Sequence, residues 1–371
     1  MTENPISPPS AGLPEVEARH VAHVLEERLA GRGDGMAFRW REAGAWKEMT
    51  WSEARDRVAA LSSALVGLGV GEGDRVALLG PNRPEWTIAD LAILRVRGVS
   101  VPIHATSSSE QVSFILRDSG ARLVFAAAGE AAGKLASVLP GCPGVERAVV
   151  FGEGPAPAGA SFSRLEEVLE SGRRSPREDE VAARLARATP DDLLTLLYTS
   201  GTTGEPKGVM LPHSAFTVTC TYHDLRLPPI GPDDVSLCFL PLSHIFERAW
   251  TFYVLYRGAV TAYCEDPKLV SELLPEVRPT LMCAVPRLYE KAYAKVRETV
   301  AASSPAKRAL FRWAVATGTA VSLRRRSGRP VPALLALRHA VADRLVLAKV
   351  RAKFGGRPRL FPCAGAPLSP E

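Results

Sequence analysis

Hydrophobic and polar positions change their period several times along the first part of the chain. Alternation at 36–40 and again at 46–50 predicts a short β-hairpin. Thr50, with Glu53 three residues later, has the pattern of a capping box. The helical period that follows predicts a helix from this point to about Leu68.

Apolar runs then alternate with amphipathic segments. We predict strands at 74–79, 100–103 and 122–126, with helices between them at 85–97 and 109–119. Strands that alternate with helices in this way favour a parallel sheet whose faces are covered by helices.

The pattern is less regular from 127 to 190, and strand signals then return. The further predicted strands are at 193–198, 235–240, 259–264 and 280–285. The predicted fold class is α/β, with stacked, mostly parallel sheets covered by helices. The predicted division is a flexible N-terminal tail at 1–20, a first α/β subdomain at 21–190 and a second, truncated one at 191–371.

Charge adds one feature to this picture. The net charge is +6, and the segment from Arg324 to Arg359 holds many arginines and lysines but a single acid, Asp343. Such a segment fits either a basic face for anionic lipid or the solvated faces of ordinary helices, and both interpretations stay open. Apolar content of 46% is usual for a globular protein, and no nucleic-acid partner is expected.

Cysteine usage and the N-terminus indicate a cytoplasmic protein, with peripheral contact at the inner membrane face as an open option. None of the six cysteines forms a C-x-x-C pair, so we expect buried, reduced thiols. Residues 1–14 contain no apolar core of a secretion signal. The longest apolar run, 250–264, is interrupted by Arg257 and Gly258, so no membrane-spanning helix is predicted.

The segment Thr199–Gly208 carries the strongest chemical signal. It follows a predicted buried strand and combines three glycines, four hydroxyl side chains and Lys207. Glycines allow a backbone to turn its N–H groups toward a ligand, and lysine supplies a point charge for phosphate. These residue types predict a polyphosphate cradle, against the alternative of a Gly/Ser/Thr-rich surface loop.

Spacing excludes two common phosphate loops. Lys207 is followed by Gly208, whereas a Walker loop needs Ser or Thr there to hold magnesium. The glycines at 67–73 alternate, but Glu72 and Asp74 stand where a dinucleotide fingerprint would need its third glycine. That second cluster is interpreted as a turn between a helix and a strand.

The segment Thr199–Gly208 itself resembles the phosphate-binding loop of the adenylate-forming superfamily, which includes acyl-CoA synthetases, peptide-synthetase adenylation domains and luciferases. Other segments are similar to long-chain acyl-CoA synthetases in particular. These are Gly73–Val76, Asn82–Trp86, Val101–Ser108, Asp118–Gly120, Phe239–Arg248, Pro279–Thr280, Val285–Lys291 and Gly365–Ser369. The resemblance covers the chain from about residue 24 to its end.

The chain departs from that family in two places. Ala364 stands where the family usually has glycine, so its methyl group narrows the backbone freedom next to the nucleotide. The family's later Tyr-Gly-x-Thr-Glu motif, ribose aspartate, hinge and mobile C-terminal domain with its lysine do not occur before Glu371. We therefore expect an N-terminal fragment of a longer enzyme, inactive on its own.

The resemblance implies roles for particular residues. Thr199 would be the hydroxyl on the magnesium side, and Lys207 would bind pyrophosphate as a catalytic cation. His244 would lie near the acyl carboxylate and the α-phosphate, against the alternative of a buried histidine whose ring is satisfied by structural contacts. The residues that would hold the β- and γ-phosphates are Ser200, Gly201, Thr202, Thr203 and Gly204, and those that would lie against adenine are Gly365, Ala366 and Pro367.

Glu247 and Arg248, beside His244, are interpreted as a structural or gating pair, and the sequence does not choose between these. No role is predicted for His104, His213 or His223.

By this resemblance the whole enzyme activates a long-chain fatty acid with ATP and Mg²⁺, forms an acyl-adenylate and transfers the acyl group to coenzyme A. Two alternatives remain open. One is a fatty-acyl-AMP ligase that loads a carrier protein, and the other is a non-catalytic protein that binds nucleotide or acyl groups.

Overall fold

The computed structural model describes residues 17–159, 161–199 and 206–367. Its strands are β1 Met36–Glu42, β2 Ala45–Thr50, β3 Arg75–Leu79, β4 Val99–Ile103, β5 Leu123–Ala127, β6 Arg147–Phe151, β7 Phe162–Arg164, β8 Leu193–Thr199, β9 Lys207–Pro212, β10 Val235–Cys238 and β11 Val260–Tyr263. None of the described helices is both long enough and apolar enough to cross a membrane.

The helices cover the sheets and also form a separate group near the end of the described chain. They are α1 Val21–Leu29, α2 Trp51–Gly67, α3 Pro84–Arg95, α4 Ser109–Ser119, α5 Glu130–Val138, α6 Leu165–Arg174, α7 Glu178–Leu185, α8 His213–Arg226, α9 Ile245–Arg257, α10 Val270–Val277, α11 Pro286–Ala301, α12 Pro305–Arg326, α13 Ala333–Ala342 and α14 Ala348–Ala352. A π-helical turn, Asp343–Leu347, joins α13 to α14.

The larger sheet has the strand order β7-β6-β5-β3-β4-β8-β9. All neighbours in it are parallel except β8 and β9, which form an antiparallel hairpin. Every residue of β4 and β5 is buried, as expected for central parallel strands with helices on both faces. The predicted α/β class with mostly parallel sheets is confirmed.

The smaller sheet has the order β10-β11-β1-β2, in which only β1 and β2 are antiparallel. The predicted hairpin at 36–50 is confirmed as β1 and β2. The predicted capping box is also present, because the Thr50 hydroxyl accepts from the Glu53 amide and the Glu53 carboxylate accepts from the Thr50 amide. This cap starts α2.

The predicted division near residue 190 does not follow the sheets. Strands β8 and β9 lie after that point but belong to the larger sheet, whereas β1 and β2 lie early in the chain but belong to the smaller one. Residues 127–190, predicted to be less regular, hold β6, β7 and three helices. Sheet membership is decided by long-range pairing, which a local pattern does not record.

The predicted tail at 1–20 lies for the most part outside the described residues. At its end, His20 is buried, and its ring stacks on that of His213 with 3.5 Å between centroids. His20 also caps α1 by accepting a hydrogen bond from the Ala22 amide. Residue 20 therefore belongs to the folded body.

The predicted strand at 280–285 is present only as isolated parallel bridges. Leu281 bridges Ser236 on one side and Leu360 on the other, and Ala284 bridges Cys363. A continuous ladder does not form because Pro362 accepts from the Ala284 amide but has no N–H to donate in return. These bridges still extend the smaller sheet beyond β10.

Candidate active site

Thr199 and Lys207 face each other at the base of the predicted phosphate loop. Thr199 ends β8, Lys207 begins β9, and the two are register partners in the antiparallel hairpin. Both are exposed. The residues between them that were predicted to hold phosphates lie outside the described part of the chain, namely Ser200, Gly201, Thr202, Thr203 and Gly204.

The end of β4 lies beside this hairpin. Ser100 on β4 pairs with Thr195 on β8 in parallel register, and the Thr195 hydroxyl donates to the Ser100 carbonyl oxygen at 2.8 Å. Strand β4 ends at Ile103 and β8 ends at Thr199, so His104, the residue directly after β4, lies at the same edge of the sheet as Thr199. Ligands of open α/β sheets bind outside the carboxyl ends of such strands.

His104 connects this edge to the segment that follows β10. A hydrogen bond of 2.7 Å joins His104 Nδ1 to Ser243 Oγ. Burial lowers the pKa of His104, and the nearby charge of His244 lowers it further, so His104 favours the neutral form. No role was predicted for His104, although it stands directly after a predicted strand and within the Val101–Ser108 segment.

His244 caps the N-terminus of α9. Its Nδ1 accepts from the Phe246 amide at 3.3 Å, and the residue is exposed. The alternative of a buried, satisfied histidine is therefore wrong for this position. The ring stands at the positive end of a helix dipole, where anionic groups are stabilised.

Asn82 fixes the segment that carries Ser243 and His244. Its side-chain amide donates to the carbonyl oxygens of Cys238 and Leu240, at 3.3 and 2.7 Å, and its oxygen accepts from the Leu242 amide at 2.9 Å. Asn82 is buried, so these three bonds tie the chain after β3 to the chain after β10. Asn82 lies in a segment that is similar to long-chain acyl-CoA synthetases, but the sequence predicts no role for it.

Arg248 and Glu247 do not pair with each other. Both Arg248 and Asp90 are buried, and they form a two-point ion pair. Glu247 is fully buried and accepts from the Leu240 amide at 3.1 Å, while its other oxygen has no hydrogen-bond partner among the described residues. Burial raises the pKa of Glu247 to about 8. The two side chains therefore have separate structural contacts: Glu247 binds the backbone at Leu240, and Arg248 pairs with Asp90.

The predicted adenine segment follows the last bridge of the smaller sheet. The Ala364 amide donates to the Ala284 carbonyl oxygen at 3.2 Å, and Gly365 then turns with a φ of +90°. Gly365, Ala366 and Pro367 are exposed. Within the described ranges, no hydrogen bond joins these three residues to Thr199, Lys207 or His244.

A magnesium ion could use Thr199 only as one ligand among several. No group of three or more His, Cys, Asp or Glu residues within the described ranges is arranged to hold a metal. Mg²⁺ prefers six oxygen ligands and often takes them from phosphates and water. The exposed Thr199 hydroxyl at the base of the loop fits that mode of binding.

A family model described as "AMP-binding enzyme" matches residues 25–371. The chain belongs to the AMP-binding enzyme family. A long-chain-fatty-acid–CoA ligase of Mycobacterium bovis is 36% identical over 358 residues, which are 95% of this chain and 57% of that protein.

A second relative supports the AMP-binding family assignment, and a solved structure shows the same fold. The peroxisomal long chain acyl-CoA synthetase 6 of Arabidopsis thaliana is 34% identical and aligns with 88% of this chain and 45% of its own length. The adenylation domain of a carboxylate reductase from Mycobacterium chelonae has the same fold, with a TM-score of 0.68 at 24% identity, over 97% of this chain and 55% of that one. The chain thus spans about half the length of the curated relatives.

Proposed function

We propose that the whole protein is a long-chain-fatty-acid–CoA ligase that works through an acyl-adenylate. The observation that carries the proposal is the meeting of three segments at one sheet edge. Thr199 and Lys207 close the loop base, His104 follows the adjacent strand, and the Ser243–His104 hydrogen bond brings His244 to the same edge. The similarity to curated ligases at 34–36% identity supports the substrate class.

The first step needs charge neutralisation rather than a protein nucleophile. A fatty-acid carboxylate oxygen attacks the α-phosphorus of ATP, and the bond from that phosphorus to the pyrophosphate oxygen breaks. The Lys207 ammonium would hold the departing pyrophosphate, together with the hydroxyls and amides of Ser200–Gly204. Bound Mg²⁺, held in part by Thr199, would supply further positive charge there.

His244 would orient the acyl carboxylate next to the α-phosphate. Its exposed ring and the N-terminus of α9 both favour an anionic group at this position. His104 is hydrogen-bonded to Ser243, the residue before His244. Asn82 binds the backbone of the same segment at Leu242. Holding two anionic reactants in line is worth several orders of magnitude in rate.

The second step transfers the acyl group. The thiol sulfur of coenzyme A attacks the acyl carbon, the bond from that carbon to the phosphate of AMP breaks, and the thiol loses its proton. Gly365–Pro367 would lie against the adenine ring during both steps, since the segment is exposed and follows the end of the smaller sheet. The free state of all six cysteines fits the proposed cytoplasmic location.

The test is an exchange assay with the whole protein. We expect palmitate-dependent exchange of labelled pyrophosphate into ATP, followed by palmitoyl-CoA when coenzyme A is added. His244→Ala should lower exchange by about 10²-fold, whereas His339→Ala, a histidine on α13, should leave it unchanged. Adenylate formation without transfer to coenzyme A would favour a carrier-protein acceptor, and absence of exchange with every fatty acid would overturn the proposal.

A further inference from the structure

The last helices of the described chain form a group of their own. Helices α12 and α13 pack against each other, and the buried residues of the two helices are Ala314, Thr317 and Val321 on α12 and Ala342 at the end of α13. Gly318 on α12 lets the π-helical turn approach, because a Cβ at that position would lie 3.1 Å from a methyl group of Leu347 in that turn. One side of α13 therefore packs against α12.

A second apolar side of α13 is not covered by any of the residues that the structure describes. Leu334 is 68% exposed and Leu337 is 63% exposed, and Val341 and Leu345 continue the row at 45% and 44%. The spacings of three and four residues place Leu334, Leu337 and Val341 on one face of α13, and Leu345 follows them in the π-helical turn. We call Leu334, Leu337, Val341 and Leu345 the α13 stripe.

Positive charge borders the α13 stripe. At helical spacing, Arg338 lies along one side of it and Arg344, in the π-helical turn, along the other. Residues 305–359 hold fourteen lysines and arginines but one acid, Asp343, which already pairs with Arg351. The other residues hold 32 lysines and arginines against 39 acids, so they have a net charge of −7, and the positive excess of the chain lies in this segment.

We propose that the α13 stripe docks on the surface of an anionic lipid bilayer. A helix with an apolar row flanked by arginine and lysine lies in the interface plane, with its leucines among the acyl chains and its cations at the headgroups. Anionic phospholipid matches both chemical features of this face. The site is separate from the proposed catalytic edge and does not depend on the proposed reaction.

Charge also decides between lipid and a second copy of the chain. An isologous dimer on this face would bring Arg338 and Arg344 of one protomer close to the same cations of the other, with no acid on the face to offset them. A bilayer with anionic headgroups removes that repulsion. Leu334 and Leu337, inserted among the acyl chains, would then supply the part of the affinity that does not depend on salt.

The experiment is sedimentation of the whole protein with vesicles of phosphatidylglycerol and phosphatidylcholine, compared with vesicles of phosphatidylcholine alone. We expect binding to the anionic vesicles only, weakening from low to physiological salt. Changing Leu334→Ser and Leu337→Ser together should lower the affinity about tenfold or more, and so should changing Arg338→Gln and Arg344→Gln together.

Leu225→Ser is the matched control. Leu225 is 53% exposed on α8, away from the α13 stripe, so its substitution should leave vesicle binding unchanged. Circular dichroism and light scattering of each variant show whether it remains folded and of the same mass. Equal binding to both vesicle types, or no effect of the Leu334 and Leu337 changes, would overturn the proposal. Conversion of a dimer to a monomer by those changes would assign the face to self-association instead.

Discussion

Arg248 and Asp90 form a two-point ion pair in the interior, with distances of 2.9 Å from Nε to Oδ2 and 2.7 Å from Nη2 to Oδ1. The pair joins α9 to α3, and the third guanidinium nitrogen donates to the Thr195 hydroxyl on β8 at 2.7 Å. Both charged side chains are almost completely removed from solvent. One arginine thus connects the segment after His244 to the strand that ends at Thr199.

Removal of that arginine should strongly destabilise the fold. Arg248→Ala leaves the Asp90 carboxylate buried without its partner, which costs about 3–5 kcal/mol. Arg351→Ala is the matched control, because Arg351 and Asp343 form a two-point pair that is largely exposed and is worth about 0–1 kcal/mol. Urea denaturation of the two variants measures the difference. Equal losses would mean that the interior pair contributes no more than a surface one.

The stability of the protein should depend on pH through Glu247. Its pKa is about 8 in the folded protein and lies near the ordinary glutamate value when the chain unfolds. Between these values the folded state holds a proton that the unfolded state has lost, so stability falls as pH rises, by up to about 1.4 kcal/mol per pH unit.

Glu247→Gln should remove that dependence. The amide keeps an oxygen that can accept from the Leu240 amide, but it does not ionise. We expect urea midpoints of this variant to change less than those of the parent protein between about pH 5 and 8, with the greatest gain near pH 8. Parallel curves for the two proteins would show that Glu247 is not the titrating group.

Lys207 tests the loop base. Lys207→Ala should remove a charge-assisted contact to pyrophosphate worth about 1.5–3 kcal/mol, and the loss should appear in the adenylation step. Pyrophosphate exchange with palmitate measures this in the whole protein. Lys268→Ala is the control, since Lys268 is also exposed but lies after β11. Unchanged exchange in the Lys207 variant would remove this residue from the site.

Two helical glycines should respond in opposite directions to the same substitution. In α6, a Cβ on Gly172 would lie 1.9 Å from the Ala60 carbonyl oxygen of α2, so Gly172→Ala must force the two helices apart. We expect a loss of about 1–3 kcal/mol or more. Gly133 in α5 has open space around the same position, and Gly133→Ala should stabilise by about 0.5–1 kcal/mol. Thermal melts of both variants decide the matter.

Local signals were sufficient for much of the fold and for the loop base. The Thr50–Glu53 capping box started a helix where it was predicted, because both hydrogen bonds lie within four residues. The predicted strand at 193–198 is also present, and β8 continues it by one residue to Thr199, since an apolar run followed by glycines has few other interpretations.

Long-range partners were beyond the reach of those signals. Nothing near Arg248 indicates that its carboxylate partner stands 158 residues earlier, so the sequence suggested the adjacent Glu247 instead. His104 was passed over for the same reason, because its link to Ser243 exists only once two sheets are assembled. The residue types show that a buried charge needs a partner of opposite charge. Which residue becomes that partner depends on how the strands and helices are assembled.

The placement of β1 in the smaller sheet has a consequence during synthesis. Phe38 is fully buried beside Thr261, its register partner, which is made 223 residues later. At translation rates of about 5–20 residues per second, roughly 10–45 seconds pass between the synthesis of the β1–β2 hairpin and that of β11. Until then one edge of β1 has unpaired amides and carbonyls. The N-terminal hairpin therefore needs protection from wrong pairing during this time.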